Sequence, residues 1–317
     1  MIYILFAIGF YLLTKGADLL VDGSSALARR FGLSDLVIGL TIVSIGTSLP
    51  ELLVNVMSSF SGASDIAIGN VLGSNIANIL LILGVTVIIC SVPISRGSVF
   101  NDIPMSLVAI LLVGFLANAS VWPFTETEGI SRVDGLFLLF IFLLFMAYVV
   151  SVSMNNEASL QETDEVFKPL KSTGFIFLGC VMLFFGGKWV VDGAVHIASI
   201  LGMSQKLISL TIVAIGTSLP ELVTSVIAAL KKKPDVAVGN VIGSNIFNAL
   251  WVLGLSSTIA PLKFDKIANF DLLVVVLSTV LLLSLIVIRR SFQLVRWQGI
   301  VLVSSYVAYL IYLIDKG

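Results

Sequence analysis

Long apolar stretches follow one another along almost the whole chain, and short polar segments separate them. Each stretch has the roughly 20 residues that a helix needs to cross the apolar core of a bilayer. The stretches lack the polar alternation of membrane-spanning strands. The pattern therefore predicts ten transmembrane helices, at residues 2–25, 36–60, 65–90, 103–122, 135–153, 174–199, 207–230, 235–258, 270–288 and 298–314.

Composition supports this prediction. Of the 317 residues, 58% are hydrophobic and only 12% are charged, against about 25% charged in a typical soluble domain. The chain is therefore expected to be an all-α, multi-pass integral membrane protein. We expect no cofactor, no nucleic-acid partner and no obligate protein partner.

Basic residues predict the orientation, because Lys and Arg are enriched in cytoplasmic loops. Alternate loops carry eleven of them on one side and five on the other. The first set is Arg29, Arg30, Arg96, Lys168, Lys171, Lys231, Lys232, Lys233, Arg289, Arg290 and Arg296, and the second is Arg132, Lys206, Lys263, Lys266 and Lys316. We therefore expect both termini outside and a cytoplasmic linker at 155–173.

The two halves of the chain repeat one another at one constant shift, which places position 211 over position 41. TIVSIGTSLPE at 41–51 matches TIVAIGTSLPE at 211–221 in ten of eleven positions, and GNVLGSNIAN at 69–78 matches GNVIGSNIFN at 239–248 in eight of ten. The chain thus divides into a first five-helix repeat at 1–154 and a second at 174–317. Because five is odd, the second repeat enters the membrane from the opposite side. Inverted repeats of this kind are typical of secondary transporters.

Polar groups at membrane depth mark the candidate site. Pro50 and Pro220 remove a helical hydrogen bond and so expose carbonyl oxygens next to Glu51 and Glu221. A buried charge is costly in a membrane unless it is paired. A bound cation would relieve the cost of both glutamates.

Oxygen-bearing side chains recur at helical spacing on the same segments. Thr47 lies four residues before Glu51, as Ser74 lies four before Asn78, and the second repeat has the same pairs in Thr217, Glu221, Ser244 and Asn248. Carboxylates, carbonyls, hydroxyls and amides match the oxygen ligands that calcium prefers. The glycines nearby are explained equally well by close helix packing and by a functional role. They are Gly69, Gly73, Gly239 and Gly243.

The doubled GTSLPE motif, followed by GNVLGSNIAN in the first half and GNVIGSNIFN in the second, resembles the paired alpha-repeats of the cation/calcium exchanger superfamily. The resemblance is strongest to the prokaryotic sodium/calcium exchangers. The resemblance covers both halves. It implies ten helices in two inverted five-helix repeats, with broken helices at the core. Spans 2, 3, 7 and 8 would surround the ions, and spans 1 and 6 would slide across them to alternate access.

The resemblance also implies roles for individual residues. Calcium and sodium would share the two glutamates, and flanking sodium sites would lie at two serine pairs. By motif position the implied ion-binding residues are Glu51, Glu221, the carbonyls of Thr47 and Thr217, Ser48 with Ser244, Ser74 with Ser218, the carbonyls of Ser44 and Ala214, and Asn78 with Asn248 at the middle level.

One position departs from part of the family. Some relatives, notably the potassium-dependent branch, carry Asp where this chain has Asn248. The resemblance therefore implies exchange without potassium. The site then holds two formal negative charges, which one calcium ion balances and several sodium ions exceed, so exchange should be electrogenic. The linker is too short for a regulatory calcium-sensing domain. This short linker and the resemblance together imply a protein of the cell membrane.

Two alternatives to sodium/calcium antiport stay open. A calcium/proton antiporter of the same fold could use the paired glutamates, although the duplicated serines favour sodium. A cation channel could use the glutamates as a selectivity filter, although filters are usually formed by symmetry-related subunits. An enzyme is not expected, because no nucleophile and base are paired in the sequence.

Overall fold

The computed structural model describes residues 2–119, 129–155, 169–203, 214–288 and 292–316. Helices dominate this part of the chain, and two short antiparallel strand pairs complete it. In chain order the elements are α1 (Ile2–Phe31), α2 (Asp35–Thr47), α3 (Leu49–Phe60), α4 (Ser64–Ile89), β1 (Val92–Pro93), α5 (Ser98–Asn118), β2 (Gly129–Ile130), α6 (Arg132–Asn155), α7 (Pro169–Ile200), α8 (Ala214–Gly216), α9 (Leu219–Leu230), α10 (Pro234–Ile259), β3 (Leu262–Lys263), α11 (Ala268–Ile288), β4 (Gln293–Leu294) and α12 (Arg296–Lys316).

The predicted spans can be compared with these helices. Among the described residues, eight helices are long and apolar enough to cross a membrane, and the bent pair α2 and α3 makes a ninth. The predicted seventh span, 207–230, lies partly outside the described residues, and its described end contains the short apolar helix α9. A multi-pass helical membrane fold is thus confirmed, while the count of ten stays a prediction.

Several helix ends differ from the predicted spans. Helix α1 continues to Phe31, six residues beyond the predicted end, and α7 begins at Pro169 inside the predicted linker. Helix α5 ends at Asn118 rather than at 122. Hydropathy finds the part of a helix that lies in lipid, but a helix continues into water as long as its backbone bonds are made. The rest of the linker, 156–168, lies outside the described residues.

Helices α4 and α10 form the centre of the molecule. In the most apolar window of α4, 72% of residues are buried, and in that of α10 the share is 94%. The corresponding share is 50% or less in the other long helices. A helix that is mostly buried is surrounded by protein rather than by lipid, so most polar residues of α4 and α10 do not face the bilayer.

Helices α1 and α7 pack side by side along their length. Glycines allow this contact: a Cβ atom on Gly16 would lie 2.9 Å from the carbonyl oxygen of Gly179, and one on Gly9 would lie 3.0 Å from that of Gly186. The spacing from Gly9 to Gly16 equals that from Gly179 to Gly186, so the glycines form one seam on each helix. Small residues let the two backbones approach closely, as in other membrane helix pairs.

Contacts between the two halves occur in matched pairs. Strand β1 pairs with β4 through Val92 and Leu294, and β2 pairs with β3 through Ile130 and Leu262. Val92 and Leu262 are equivalent positions in the sequence repeat. Each half therefore contributes one strand to each pair. Gly129 suits its position, because its φ of 125° and the close carbonyl oxygen of Leu262 leave no space for a side chain.

Close contacts at glycines also join helices of the two halves. A Cβ atom on Gly299 in α12 would lie 2.6 Å from the carbonyl oxygen of Gly84 in α4. On Gly135 in α6 it would lie 2.7 Å from that of Gly254 in α10. Gly84 and Gly254 are again equivalent positions in the repeat. The last helix of each half therefore packs against the central helix of the other half.

An ionic cluster ties α1 to the segment between α9 and α10. Lys231 Nζ lies 2.8 Å from Asp18 Oδ1 and 2.8 Å from Asp22 Oδ1. Burial lowers the pKa of Lys231, but its hydrogen bonds to the two carboxylates raise it, and the net pKa lies above the ordinary lysine value. The three side chains are partly exposed, so this pairing adds little to stability.

Candidate functional site

The candidate site is built at two breaks in the helices. Helix α2 ends at Thr47 and α3 begins at Leu49, with a bend of 49° between them. Ser48 at this break has φ −84° and ψ 10°, and Ser218 before α9 has nearly the same values, −88° and 6°. Pro50 and Pro220 each stand in the first turn of the following helix, where a missing N–H is tolerated.

Both glutamates are buried at these breaks. Glu51 is 0% exposed and Glu221 is 1% exposed, and each lies in the first turn of its helix. The partial positive charge of a helix N-terminus favours a carboxylate there. Within the described residues, neither glutamate forms a salt bridge with Lys, Arg or His. The two carboxylates therefore lack a protein counter-charge in this part of the chain.

Each carboxylate is hydrogen-bonded by a serine from the other copy of the motif. Ser218 Oγ donates to Glu51 Oε1 over 3.3 Å, and Ser48 Oγ donates to Glu221 Oε1 over 2.9 Å. The two repeated motifs thus meet at one place. This crossed arrangement could not be derived from either motif alone.

The serines of the central helices join the same cluster. Ser74 Oγ donates to Glu51 Oε1 over 3.4 Å and lies 3.4 Å from Ser218 Oγ. Ser244 Oγ lies 3.0 Å from Ser48 Oγ. The structure therefore brings together the two serine pairs that the resemblance implied. That these pairs hold sodium stays a prediction.

Four buried carboxylate and amide oxygens at the site have no hydrogen-bond partner among the described residues. They are Glu51 Oε2, Glu221 Oε2, Asn78 Oδ1 and Asn248 Oδ1. A buried acceptor without a partner typically costs about 1–3 kcal/mol, and more when it is charged. All four are hard oxygens of the kind that bind calcium and similar cations. The donor set thus fits a cation as the substrate of this site.

The two predicted carbonyl ligands next to the breaks differ in their surroundings. Thr47 is fully buried and its Oγ1 donates to Asn240 Oδ1 over 3.0 Å. Thr217 Oγ1 is buried without a partner in the described part of the chain. The two copies of the motif are thus similar in sequence but not identical in geometry.

The same difference extends to Ser44 and Ala214. The Ser44 carbonyl accepts the amide of Ser48 over 3.0 Å, as in a regular helix. The amide of Ser218 instead bonds to the carbonyl of Ile215 over 3.1 Å. The side chain of Ala214 lies outside the described residues.

Two asparagines that the sequence analysis did not select support the glutamates. Asn70 Nδ2 donates to the Glu51 carbonyl over 3.4 Å and to Asn55 Oδ1 over 2.7 Å. Asn240 Nδ2 donates to the Glu221 carbonyl over 3.3 Å and to Ser225 Oγ over 2.9 Å. Both belong to the repeated GNV triplet, which was the signal available in the sequence.

The backbone also changes at the predicted asparagine ligands. A π-helical turn at Asn78–Ile82 begins at Asn78, and another at Phe247–Val252 contains Asn248. Such turns are rare and occur frequently at functional sites. Hydrophobic periodicity does not distinguish them from an α-helix, so the sequence could not predict them.

Comparisons with a family model and with individual proteins both match this chain over nearly its whole length. A family model described as sodium/calcium exchanger protein matches residues 1–151 and 171–314. The Sodium/calcium exchanger MaX1 of Methanosarcina acetivorans is 33% identical over 346 residues, which cover 98% of this chain and 98% of that protein. The Inner membrane protein YrbG of Escherichia coli (strain K12) is 37% identical over 318 residues, which cover 96% and 94%.

A solved structure is similar over nearly the whole chain. The sodium-calcium exchanger NCX_Mj superimposes with a TM-score of 0.81 at 33% sequence identity. The match covers 98% of this chain and 99% of that one. The likeness therefore includes both copies of the motif.

Proposed function

The chain belongs to the sodium/calcium exchanger protein family, and we propose that it exchanges sodium ions for calcium across the membrane by alternating access. Cation exchange follows from the family. The coupling of calcium to sodium rather than to protons is the part that requires a test.

One observation carries the proposal. Two buried glutamates, each held by a serine from the opposite motif, keep one carboxylate oxygen without a described partner. Two negative charges balance one Ca²⁺, whose oxygen ligands lie at about 2.3–2.6 Å in a flexible arrangement. Because several sodium ions would exceed this charge, the proposed exchange is electrogenic.

The proposed ion-binding residues extend beyond the glutamates. Hydroxyls and amide oxygens line the flanking positions, and carbonyl oxygens next to the helix breaks complete the ligand set. The proposed residues are Glu51, Glu221, Thr47, Thr217, Ser48, Ser218, Ser74, Ser244, Asn78, Asn248, Ser44 and Ala214. Because Asn248 adds an amide rather than a third carboxylate, exchange does not require potassium.

The proposed architecture is ten helices in two inverted repeats, with both termini outside. The exchanged strand pairs and glycine contacts, which recur at equivalent positions of the two repeats, support it. The closely packed pair α1 and α7 would move across α4 and α10 to expose the site to either side. The ion site then lies where the two repeats meet, as in other transporters built this way.

Uptake of radioactive calcium into sodium-loaded proteoliposomes tests the proposal. The vesicles are diluted into sodium-free medium with a protonophore present. We expect uptake to persist with the protonophore and to disappear when internal sodium is replaced by potassium. Glu221→Gln, reconstituted in parallel at the same density, provides the matched control and should show no sodium-driven uptake.

The alternatives predict different results. Uptake that ignores sodium and collapses with the protonophore would favour a calcium/proton antiporter. Calcium flux that needs no counter-ion and does not saturate would favour a channel. Either result would contradict sodium/calcium exchange.

A further inference from the structure

A ring of four asparagines joins α4 to α10. It consists of Asn75 and Asn78 on α4 and Asn245 and Asn248 on α10, and each is 1% exposed. Asn75 and Asn245 are not among the proposed ion-binding residues. They lie three residues before the two asparagines that are proposed as ligands.

Two hydrogen bonds to backbone carbonyls fix the first members of the ring. Asn75 Nδ2 donates to the carbonyl of Asn245 over 3.3 Å. Asn245 Nδ2 donates to the carbonyl of Asn75 over 3.4 Å. A carbonyl oxygen can only accept, so the amide nitrogen must lie on this side. The Oδ1 atoms of Asn75 and Asn245 therefore point to the other side and act as acceptors.

The second members of the ring donate to these acceptors. Asn78 Nδ2 donates to Asn245 Oδ1 over 2.9 Å, and Asn248 Nδ2 donates to Asn75 Oδ1 over 3.3 Å. An amide that uses its nitrogen here must direct its oxygen elsewhere. The remaining oxygens, Asn78 Oδ1 and Asn248 Oδ1, are the buried acceptors without a described partner.

Helical spacing relates these oxygens to the site. Asn78 lies one turn after Ser74, which donates to Glu51, so both occupy one face of α4. Ser244 and Asn248 have the same spacing on α10. If the Asn78 amide were rotated by half a turn, two acceptor oxygens would meet at Asn245 and an NH₂ group would face the cation.

We propose that Asn75 and Asn245 are positioning residues that make the Asn248 and Asn78 amides present oxygen, rather than nitrogen, to the transported cation. The inference rests on the proposed function, because it assigns the work of these residues to ion binding. It differs from a packing role, since packing alone does not depend on which end of an amide faces the site.

Double-mutant cycles distinguish a positioning role of Asn75 and Asn245 from a packing role. The measured quantity is the calcium concentration that half-saturates the purified protein in detergent, in sodium-free buffer. Asn245→Leu, which is nearly isosteric, should raise this concentration about tenfold, the effect of losing one well-oriented polar contact. In an Asn78→Ala background, where no amide remains to be oriented, the same substitution should have no further effect.

Two controls make the cycle specific. In an Asn248→Ala background, Asn245→Leu should keep its full tenfold effect, because Asn245 orients Asn78. The reciprocal cycle, Asn75→Leu with and without Asn248→Ala, repeats the test from the other helix if one variant fails to fold. Thermal unfolding of every variant records the structural cost separately.

The outcomes distinguish the inference from the proposed function. An equal effect of Asn245→Leu with Asn78 present and absent would overturn the inference alone, as would a wild-type response of Asn245→Leu. If the wild-type protein bound no calcium that sodium displaces, the proposed function would fall and the inference with it.

Discussion

At the scale of single residues, each of the two glutamates combines deep burial with a carboxylate that has no described counter-charge, which is costly in a membrane protein. Each is buried and each accepts a hydrogen bond through one oxygen only among the described residues. Two unit charges about 4 Å apart interact by about 4 kcal/mol at an effective dielectric constant of about 20. A cation between the carboxylates gains this attraction from both sides.

Removing one of these charges should therefore abolish exchange. We expect Glu51→Gln or Glu221→Gln to weaken calcium binding by more than about a hundredfold, since about 1.4 kcal/mol corresponds to a factor of ten. Equilibrium binding of radioactive calcium measures this loss. Asp65→Asn, which changes an exposed carboxylate at the start of α4, is the matched control. Full transport by either glutamine variant would exclude that glutamate from the site.

A substitution at Asn248 tests how the number of negative charges at the site affects ion binding. Asn248→Asp adds a third carboxylate, which should lower the sodium concentration needed for half-maximal exchange by about threefold or more, or allow potassium to drive it. Because Asp cannot donate to Asn75 Oδ1, we also expect a lower thermal midpoint. Sodium dependence of calcium uptake, measured with and without potassium, checks the prediction.

The control uses an asparagine pair outside the site. Asn269→Asp breaks an exposed amide pair with Asn118 in which both members donate and accept. It should leave the ion dependence unchanged. If Asn248→Asp behaved in the same way, Asn248 would not lie on the ion path.

At the scale of elements, the helix break is the feature that creates the site. Proline in the first turn of α3 and of α9 has no amide hydrogen to offer the preceding turn, so the backbone bends by 49° between α2 and α3. The break also brings Ser48 and Ser218 to the carboxylate of the opposite motif. In a continuous helix these two serines would lie elsewhere, away from the carboxylate of the opposite motif.

Restoring the amide hydrogen should weaken the site without unfolding the protein. Pro220→Ala allows a bond to the carbonyl of Gly216, which favours a continuous helix. We expect calcium affinity to fall about tenfold while the thermal midpoint does not decrease. Pro234→Ala, at the first turn of α10, should change neither quantity. Unchanged affinity in Pro220→Ala would mean that the break does not shape the site.

The sequence predicted this level of structure unevenly. Glu51, Pro50 and their repeats could be identified because a duplicated charge and a duplicated helix breaker have few explanations in a membrane. Asn70 was missed because its bond to the Glu51 carbonyl joins residues 19 apart on different helices. The helix ends were misplaced at Phe31 and Pro169, because hydropathy follows lipid contact rather than backbone hydrogen bonds.

At the scale of the whole molecule, the two halves exchange elements with each other. The last helix of each half packs against the central helix of the other through glycines, and strand pairs reinforce both contacts. The sequence predicted the duplication and its constant register. It could not predict which helices would pair, since the pairing depends on surfaces that are far apart in the chain.

A methyl group at this contact should destabilise the protein. In Gly299→Ala the new Cβ atom would lie 2.6 Å from the carbonyl oxygen of Gly84 and 3.0 Å from the backbone nitrogen of Ile88. We expect a loss of about 1–3 kcal/mol in the free energy of unfolding, seen as a lower thermal midpoint in detergent. Gly174→Ala, with no described atom within 4 Å of its Cβ, should not be destabilised. Equal midpoints for the two variants would contradict this tight contact.

The exchange of helices between halves has a consequence for biosynthesis. Helix α12 contains the last 21 residues of the described chain and packs against α4, which leaves the ribosome far earlier. Glu51 gains its partner Ser218 when the second motif is inserted, but Gly84 of α4 makes its contact with Gly299 only once α12 is in place. We therefore expect the partly made chain to depend on the insertion machinery or a chaperone until α12 is inserted, and a chain truncated before α12 to be degraded rather than to function as a transporter.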